Sequence, residues 1–237
     1  VIPQGTIIQD VETNGTASPY FNLVHLNTPT GPLLTGPGQI SAKSPQAIWI
    51  INNLLNLGGT KVKSTDFAID YVFRTTDGSR FNLTSSLTWY NSYKLQNVST
   101  EPFFEYAGEA TKLGGGAGTV PKYRTYTILD WKKKGWDAFV GHTFIASVDD
   151  TGTGGLTASS PVNVPAYHQF DLGFSYEFKF LNIGHGLDGL KVTVGVNNIF
   201  DKAPPLAVNA FSDTNSDVAT YGGSIGRMYY INARYSF

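Results

Sequence analysis

Read backwards from its end, the chain alternates. Phe237, Tyr235, Ala233, Ile231 and Tyr229 fall on one side, and Ser236, Arg234, Asn232 and Tyr230 on the other. A period of two is the signature of a β-strand with one apolar and one wet face. The pattern recurs upstream. From Tyr167 to Leu181, Phe170, Leu172, Phe174, Tyr176, Phe178 and Phe180 oppose Gln169, Asp171, Gly173, Ser175, Glu177 and Lys179. From Leu190 to Phe200, Leu190, Val192, Val194 and Val196 oppose Lys191, Thr193, Gly195 and Asn197. Arg80 to Leu95 gathers Phe81, Leu83, Leu87, Trp89, Tyr93 and Leu95 on one side. Roughly 46–74 reads as one long interrupted strand whose Thr65, Phe67, Ile69, Tyr71 and Phe73 share a face. Lys122–Lys133 and Trp136–Val148 bring the count to seven strands. Ala47–Leu57 fits either a strand or a short helix.

The connections carry a second regularity. Those after residues 74, 133 and 181 are short, and those after 95, 148 and 200 are long. Asp77-Gly78 and Lys134-Gly135 supply the turn residues of the first two. Every long loop therefore leaves the same end of the sheet. Strands of about 9–11 residues are the length that crosses a bilayer when tilted. Short turns at one end and long loops at the other are the plan of a transmembrane β-barrel. Single-chain barrels of this kind use even strand numbers. Seven strands would leave two open edges in lipid, so the chain is expected to be part of a larger barrel. If Ala47–Leu55 is a strand of its own, the number becomes eight and a small closed barrel is the alternative.

Residues 1–45 are broken by Pro3, Pro19, Pro29, Pro32, Pro37 and Pro45 and read as loop, with Thr6–Val11 as a short strand end. Composition agrees with a β-rich chain: 15% of residues are charged, 14% are aromatic, and there is no cysteine. The net charge of −1 offers no basic face for nucleic acid. No apolar run reaches the ~18 residues of a membrane helix. Val1-Ile2-Pro3-Gln4-Gly5 lacks the features of a signal peptide, so the chain reads as a piece of something longer.

Candidate chemistry is sparse. His25, His142, His168 and His185 share no ligand spacing. Gly114 to Gly118 lacks the strand, helix and lysine of a phosphate loop. Asp149-Asp150, Asp213 and Asp217 offer hard oxygen ligands for calcium but read first as solvated loop acids. No nucleophile–base pair or carboxylate dyad stands out, so no enzymatic activity and no cofactor are expected. The loop aromatics Phe103, Phe104, Tyr106, Phe211 and Tyr221 are the candidate ligand contacts, since aromatic rings on loops at one end suit recognition. The competing reading is that they fold the loops on themselves.

One succession is specific. Val194-Gly195-Val196-Asn197-Asn198-Ile199-Phe200-Asp201-Lys202-Ala203-Pro204-Pro205, a variable loop, then Gly226-Arg227-Met228-Tyr229-Tyr230 and a terminal Phe resembles the end of a TonB-dependent outer-membrane receptor. Gly59 to Tyr71, with the hairpin after it, is similar to another stretch of that family. The resemblance covers most of the chain after about Gln46. It implies residues 1–45 as an extracellular loop region and 46–237 as the C-terminal strands of a barrel of about 22 strands. It implies active import of a siderophore, cobalamin or oligosaccharide across the outer membrane of a Gram-negative bacterium. The plug that contacts the TonB complex would lie upstream of Val1. Phe237, Tyr235, Ala233, Ile231 and Tyr229 resemble the signal read by the outer-membrane assembly machinery. The alternatives are a small self-closed barrel acting as passive channel or adhesin, and a soluble β-sandwich binding module.

Overall fold

The computed structural model describes residues 4–37, 39, 47–51, 58–96, 101–111, 118–152, 161–178, 189–211, 213–222 and 225–236. They divide into two compact units, one reaching to Gly59 and one running from Thr60 onward.

The smaller unit opens with a helix, α1 (Gln4–Asn14), where Thr6–Val11 had the pattern of a strand end. Its buried residues, Ile7 and Val11, are four apart and so lie on one helical face. They join Tyr20, Val24, Leu26 and Leu34 in a small core. Six residues with three aliphatics fit either period, and this core selects the helical one. Strand β1 (Val24–Leu26) pairs antiparallel with β2 (Ile48–Ile50), Val24 opposite Ile50. Ile48–Ile50 is thus a strand of its own within the smaller unit, and not the beginning of the long strand that follows.

In the larger unit come β3 (Gly59–Arg74) and β4 (Arg80–Gln96), then the short strands β5 (Phe104–Glu105), β6 (Glu109–Thr111) and β7 (Gly118–Val120). β8 (Tyr123–Lys133) and β9 (Trp136–Ile145) form the next hairpin, followed by short β10 (Val148–Gly152) and β11 (Val162–Val164). β12 (Tyr167–Glu177), β13 (Leu190–Asn197), a one-turn helix α2 (Val218–Tyr221) and β14 (Met228–Tyr235) complete it. The seven long strands form one antiparallel sheet in the order β3-β4-β8-β9-β12-β13-β14, each beside its neighbour in sequence. These are the strands that the alternation predicts. Among the ends that differ, Val148 starts β10 and does not extend β9, and β13 stops at Asn197 where the pattern runs on to Phe200. β3 and β14 stand at the two ends of the order, so the described sheet is open.

The register lines up the alternating faces. Leu129, Val140, Leu172, Val196 and Tyr229 stand opposite one another on successive strands, as do Trp131, Ala138, Phe174, Val194 and Ile231. The row between them, Asp130, Phe139, Gly173, Gly195 and Tyr230, points the other way. The apolar face is bare: Ile69 is 60% exposed, Tyr229 72% and Ile231 75%. Soluble monomers rarely expose contiguous apolar patches beyond a few hundred Å². A β-sandwich would bury such a face, so the soluble alternative is not supported.

At the short-turn end the hairpins are tight. Lys134 and Gly135 both have positive φ, the requirement of a two-residue hairpin turn that follows the strand twist. The Asp77 carboxylate accepts the Thr75 hydroxyl, the Ser79 amide at 3.0 Å and the Lys133 ammonium at 2.7 Å. The Lys133 contact, with those of Thr75 and Ser79, holds its carboxyl well below the usual range.

Candidate functional site: a cap built from three loops

Described residues of the three long connections, after β4, β9 and β13, pack on one another. β6 from the first lies parallel to β10 from the second, Asp149 opposite Glu109. With β7 and β11 at the flanks they make a four-stranded sheet, β11-β10-β6-β7. The third connection lies on that sheet. Its Ala207 and Ala210 are buried with Ala110, Val148 and Val164, and Phe211 is half-buried alongside. Alanine and valine let backbones approach closely, and two buried carboxylates use the proximity.

The first is Asp150, 1% exposed. It accepts the Asn209 amide at 2.8 Å and the Gly152 amide at 3.1 Å, fastening the third loop to the second. The second is Asp217, 6% exposed. One of its oxygens accepts the Thr119 amide of the first loop and the Thr220 hydroxyl, each at 2.8 Å. The other caps α2 by accepting the amides of Ala219 and Thr220. Burial pushes the Asp217 carboxyl up, but the hydrogen bonds from Thr220 and Thr119 outweigh it and leave it below the ordinary range. Asp150 and Asp217 are therefore clamps between loops and not the solvated acids that sequence alone suggests.

Glu109 is the counterexample. It is buried, its Oε2 accepts the Thr151 hydroxyl at 3.1 Å, and burial raises its carboxyl above the usual range, aided by Asp149 and Glu105. Glu105 is better held. Burial pushes it up, yet the Ser92 hydroxyl at 2.6 Å and the Tyr93 amide at 2.6 Å bring it below its ordinary value.

The base of the third loop explains the conspicuous succession around Asn198 and Asp201. Both have φ of 53°, in the left-handed region that Asn and Asp tolerate. Asn198 exchanges two hydrogen bonds with Lys202, at 2.8 and 2.9 Å, and its own amide donates to Asp171 at 2.7 Å. Asp201 Oδ1 accepts the Arg227 amide at 2.8 Å, which closes the loop where β14 begins.

The five candidate aromatics separate. Tyr106 and Tyr221 are buried inside the cap and present almost no surface to a ligand. Tyr221 packs edge-on to Tyr167, and burial beside Asp217 pushes its hydroxyl up to about 12. Phe104 pairs opposite Leu95, and Phe103 lies half-buried beneath the Lys61 ammonium, 3.9 Å from the ring centre. Phe211 is half-buried on the alanine cluster. Tyr229, Ile231, Ala233 and Tyr235 share the apolar face of β14, opposite Val196, Val194, Val192 and Leu190. Phe237 lies outside the described residues, as do His185 and Gly114 to Ala117.

Among the described residues no group of three or more His, Cys, Asp or Glu side chains converges on a metal-sized space. His142 and His168 do meet, contrary to their sequence separation: Nε2 of one lies 3.1 Å from Nδ1 of the other, in a cluster with Phe144 and Phe170. Antiparallel pairing of β9 with β12 brings them together, and no local motif signals it.

A family model described as TonB dependent receptor-like, beta-barrel matches residues 9–199. The chain belongs to that family. The match takes in most of residues 1–45, which the sequence reading left without a counterpart, and it stops within the Asn198–Asp201 turn. Among solved structures, a mutant of the ferric enterobactin receptor from Pseudomonas aeruginosa is similar at 19% identity, with a TM-score of 0.43 over 81% of this chain and 23% of that one. The chain thus spans about a quarter of that receptor's length. No curated protein matches it. The six long strands from β3 to β13 lie within that match, and the three-loop cap is the feature that the sequence pattern does not reveal. Its signals, Asp150 and Asp217 amid small residues, become legible only when three distant loops meet.

Proposed function

We propose that this chain is the C-terminal barrel portion, without the plug, of an outer-membrane active-transport receptor. It takes up a siderophore, cobalamin or oligosaccharide with energy delivered through the TonB complex. Family membership supports the receptor class, and the interlocked cap at the long-loop end carries the reading of an outward-facing recognition surface. The half-exposed Phe103, Phe104 and Phe211 are the proposed ligand contacts, with Tyr106 and Tyr221 holding the loops that bear them. Residues 1–45, with the Ile48–Ile50 strand that pairs with them, are proposed as an outer loop region, and the long strands from Gly59 onward as the barrel wall. The open edges at β3 and β14 would leave backbone groups unpaired in lipid at several kcal/mol each. They therefore favour membership of a larger barrel over a small self-closed one. Partners are the outer-membrane lipid, the assembly machinery and TonB.

The test is uptake in a strain lacking the gene. Labelled ferric siderophores, cobalamin and oligosaccharides are offered with TonB present or removed. Loss of one class of uptake, reproduced by removing TonB, is expected. Unchanged uptake of all three classes overturns the reading.

A further inference from the structure

On the face opposite the apolar rows, one ladder row carries Asn82, Asp130, Phe139, Gly173, Gly195 and Tyr230 across six successive strands of the sheet. Its two rings lie flat on glycines. Phe139 rests on Gly173, where a Cβ would come within 2.1 Å of Cε1. Tyr230 rests on Gly195, where a Cβ would come within 2.2 Å of Cζ and 2.3 Å of the hydroxyl. β12 and β13 are adjacent, about 4.8 Å apart, so the two rings lie side by side. Both residues are half-buried, with the sheet beneath one face of each ring. At the other end of the row is a polar pocket of about 120 Å³, lined by Arg80, Asn82, Asp130 and Lys132. The Asn82 Oδ1 is buried and has no hydrogen-bond partner among the described residues, which is uncommon for a buried acceptor.

A flat apolar platform beside a few convergent polar groups is the general plan of a small-molecule site. The two ends of this row ask for different things of one ligand. The platform asks for a flat face of C–H groups, whose slight positive charge suits the negative face of an aromatic ring. The pocket asks for groups that both donate and accept, because Arg80 and Lys132 only donate, while the Asp130 carboxylate and Asn82 Oδ1 only accept. A pyranose meets both demands: its ring faces carry C–H groups and its rim carries hydroxyls, each a donor and an acceptor. An anionic iron complex would bring charge against Asp130 and offer no donor to Asn82 Oδ1. The pocket is too small for a sugar ring, at about four waters of ~30 Å³ each, so it takes a hydroxyl-bearing edge. We infer that this row is a binding subsite for a neutral oligosaccharide, one sugar stacked on the Phe139 and Tyr230 rings and the next reaching the Asn82–Asp130 pocket. The inference rests on the receptor reading, in which this face lines the barrel interior, and it selects the oligosaccharide among the three ligand classes.

The test is uptake of labelled maltohexaose, cellohexaose and xylohexaose by cells whose only copy of the whole receptor is wild type or variant, at outer-membrane levels matched by immunoblotting. Wild type should import at least one of the three. Phe139→Leu still covers Gly173 but has no ring face, and should raise the sugar concentration for half-maximal uptake at least fivefold. Phe139→Tyr restores the ring and should recover most of the loss. Asp130→Ala leaves both rings in place and should raise the same concentration at least threefold, so the inference stays testable if Phe139→Leu fails to reach the membrane. Uptake in Phe139→Leu or Asp130→Ala equal to wild type overturns the subsite. So does a Phe139→Leu receptor that lets a small dye leak into the cell without any change in sugar uptake, since the ring would then be packing against another part of the receptor. Ferric siderophore and cobalamin uptake separate the two readings: if one of these enters through the receptor and no hexasaccharide does, only the subsite falls, and if nothing enters, the receptor reading falls with it.

Discussion

Asp201 accepts the backbone amide of Arg227 at 2.8 Å, across a loop of 25 residues, and so ties the end of one strand to the start of the next. Gly226 makes room for the contact: its φ is +68°, and a Cβ there would lie 2.9 Å from Asp201 Oδ1. Asp201→Ala should cost about 1 kcal/mol locally, the ordinary value of one hydrogen bond. Asp201→Asn should cost little, because it keeps both an acceptor and tolerance of positive φ. Hydrogen exchange at the Arg227 amide distinguishes the two, and equal protection in both variants refutes the assignment.

Asp217 joins the first and third loops. Asp217→Ala leaves the Thr119 amide buried without an acceptor and uncaps α2, at about 2 kcal/mol or more. The expected result is rapid proteolytic cleavage in the third loop with the long strands intact. A cap as resistant as wild type would show that the alanine cluster alone holds it.

Two of the three buried cap acids, Asp217 and Glu109, respond oppositely to pH. Asp217 has a depressed pKa in the folded cap, so it contributes stability that is present above the unfolded value, near 3.8, and is lost as pH falls through the folded one. Glu109 has a raised pKa, so its charge costs stability at neutral pH, and that cost disappears as pH falls through its folded value. Glu109→Gln should therefore stabilise the cap at pH 7 and have no effect once wild-type Glu109 is protonated. Cap protection against hydrogen exchange, followed from neutral to acid pH, checks both signs.

Gly173 and Gly195 are fixed by rings. A Cβ on Gly173 would lie 2.1 Å from Phe139 Cε1, and one on Gly195 would lie 2.2 Å from Tyr230 Cζ. Gly173→Ala must expel the ring, at about 1–3 kcal/mol for overpacking. The double variant with Phe139→Ala should recover part of that loss, since contacting sites are not additive. Urea midpoints in lipid vesicles measure the cycle, and strict additivity would contradict the packing.

The terminal alternation yields a prediction about biogenesis. Deleting Phe237 from the intact protein should lower its level in the outer membrane, measured by fractionation and immunoblotting. An unchanged level overturns the assembly role proposed for that residue with Tyr235, Ala233, Ile231 and Tyr229.

The seven long strands, their order of faces and the clustering of long loops at one end were legible in the sequence. Each depends on period-two alternation and turn chemistry, which act between residues a few positions apart. Family resemblance was legible too, through the Asn198–Asp201 turn and the Gly226–Tyr230 segment. The helix Gln4–Asn14 was not, because three aliphatics in six residues fit both periods until a core chooses one. Nor was the cap. Asp150 meeting Asn209, Asp217 meeting Thr119, and His142 meeting His168 join residues 26 to 98 positions apart. Such contacts are set by which loops the sheet register brings together, so only the tertiary structure could turn loop acids into clamps and loop aromatics into packing.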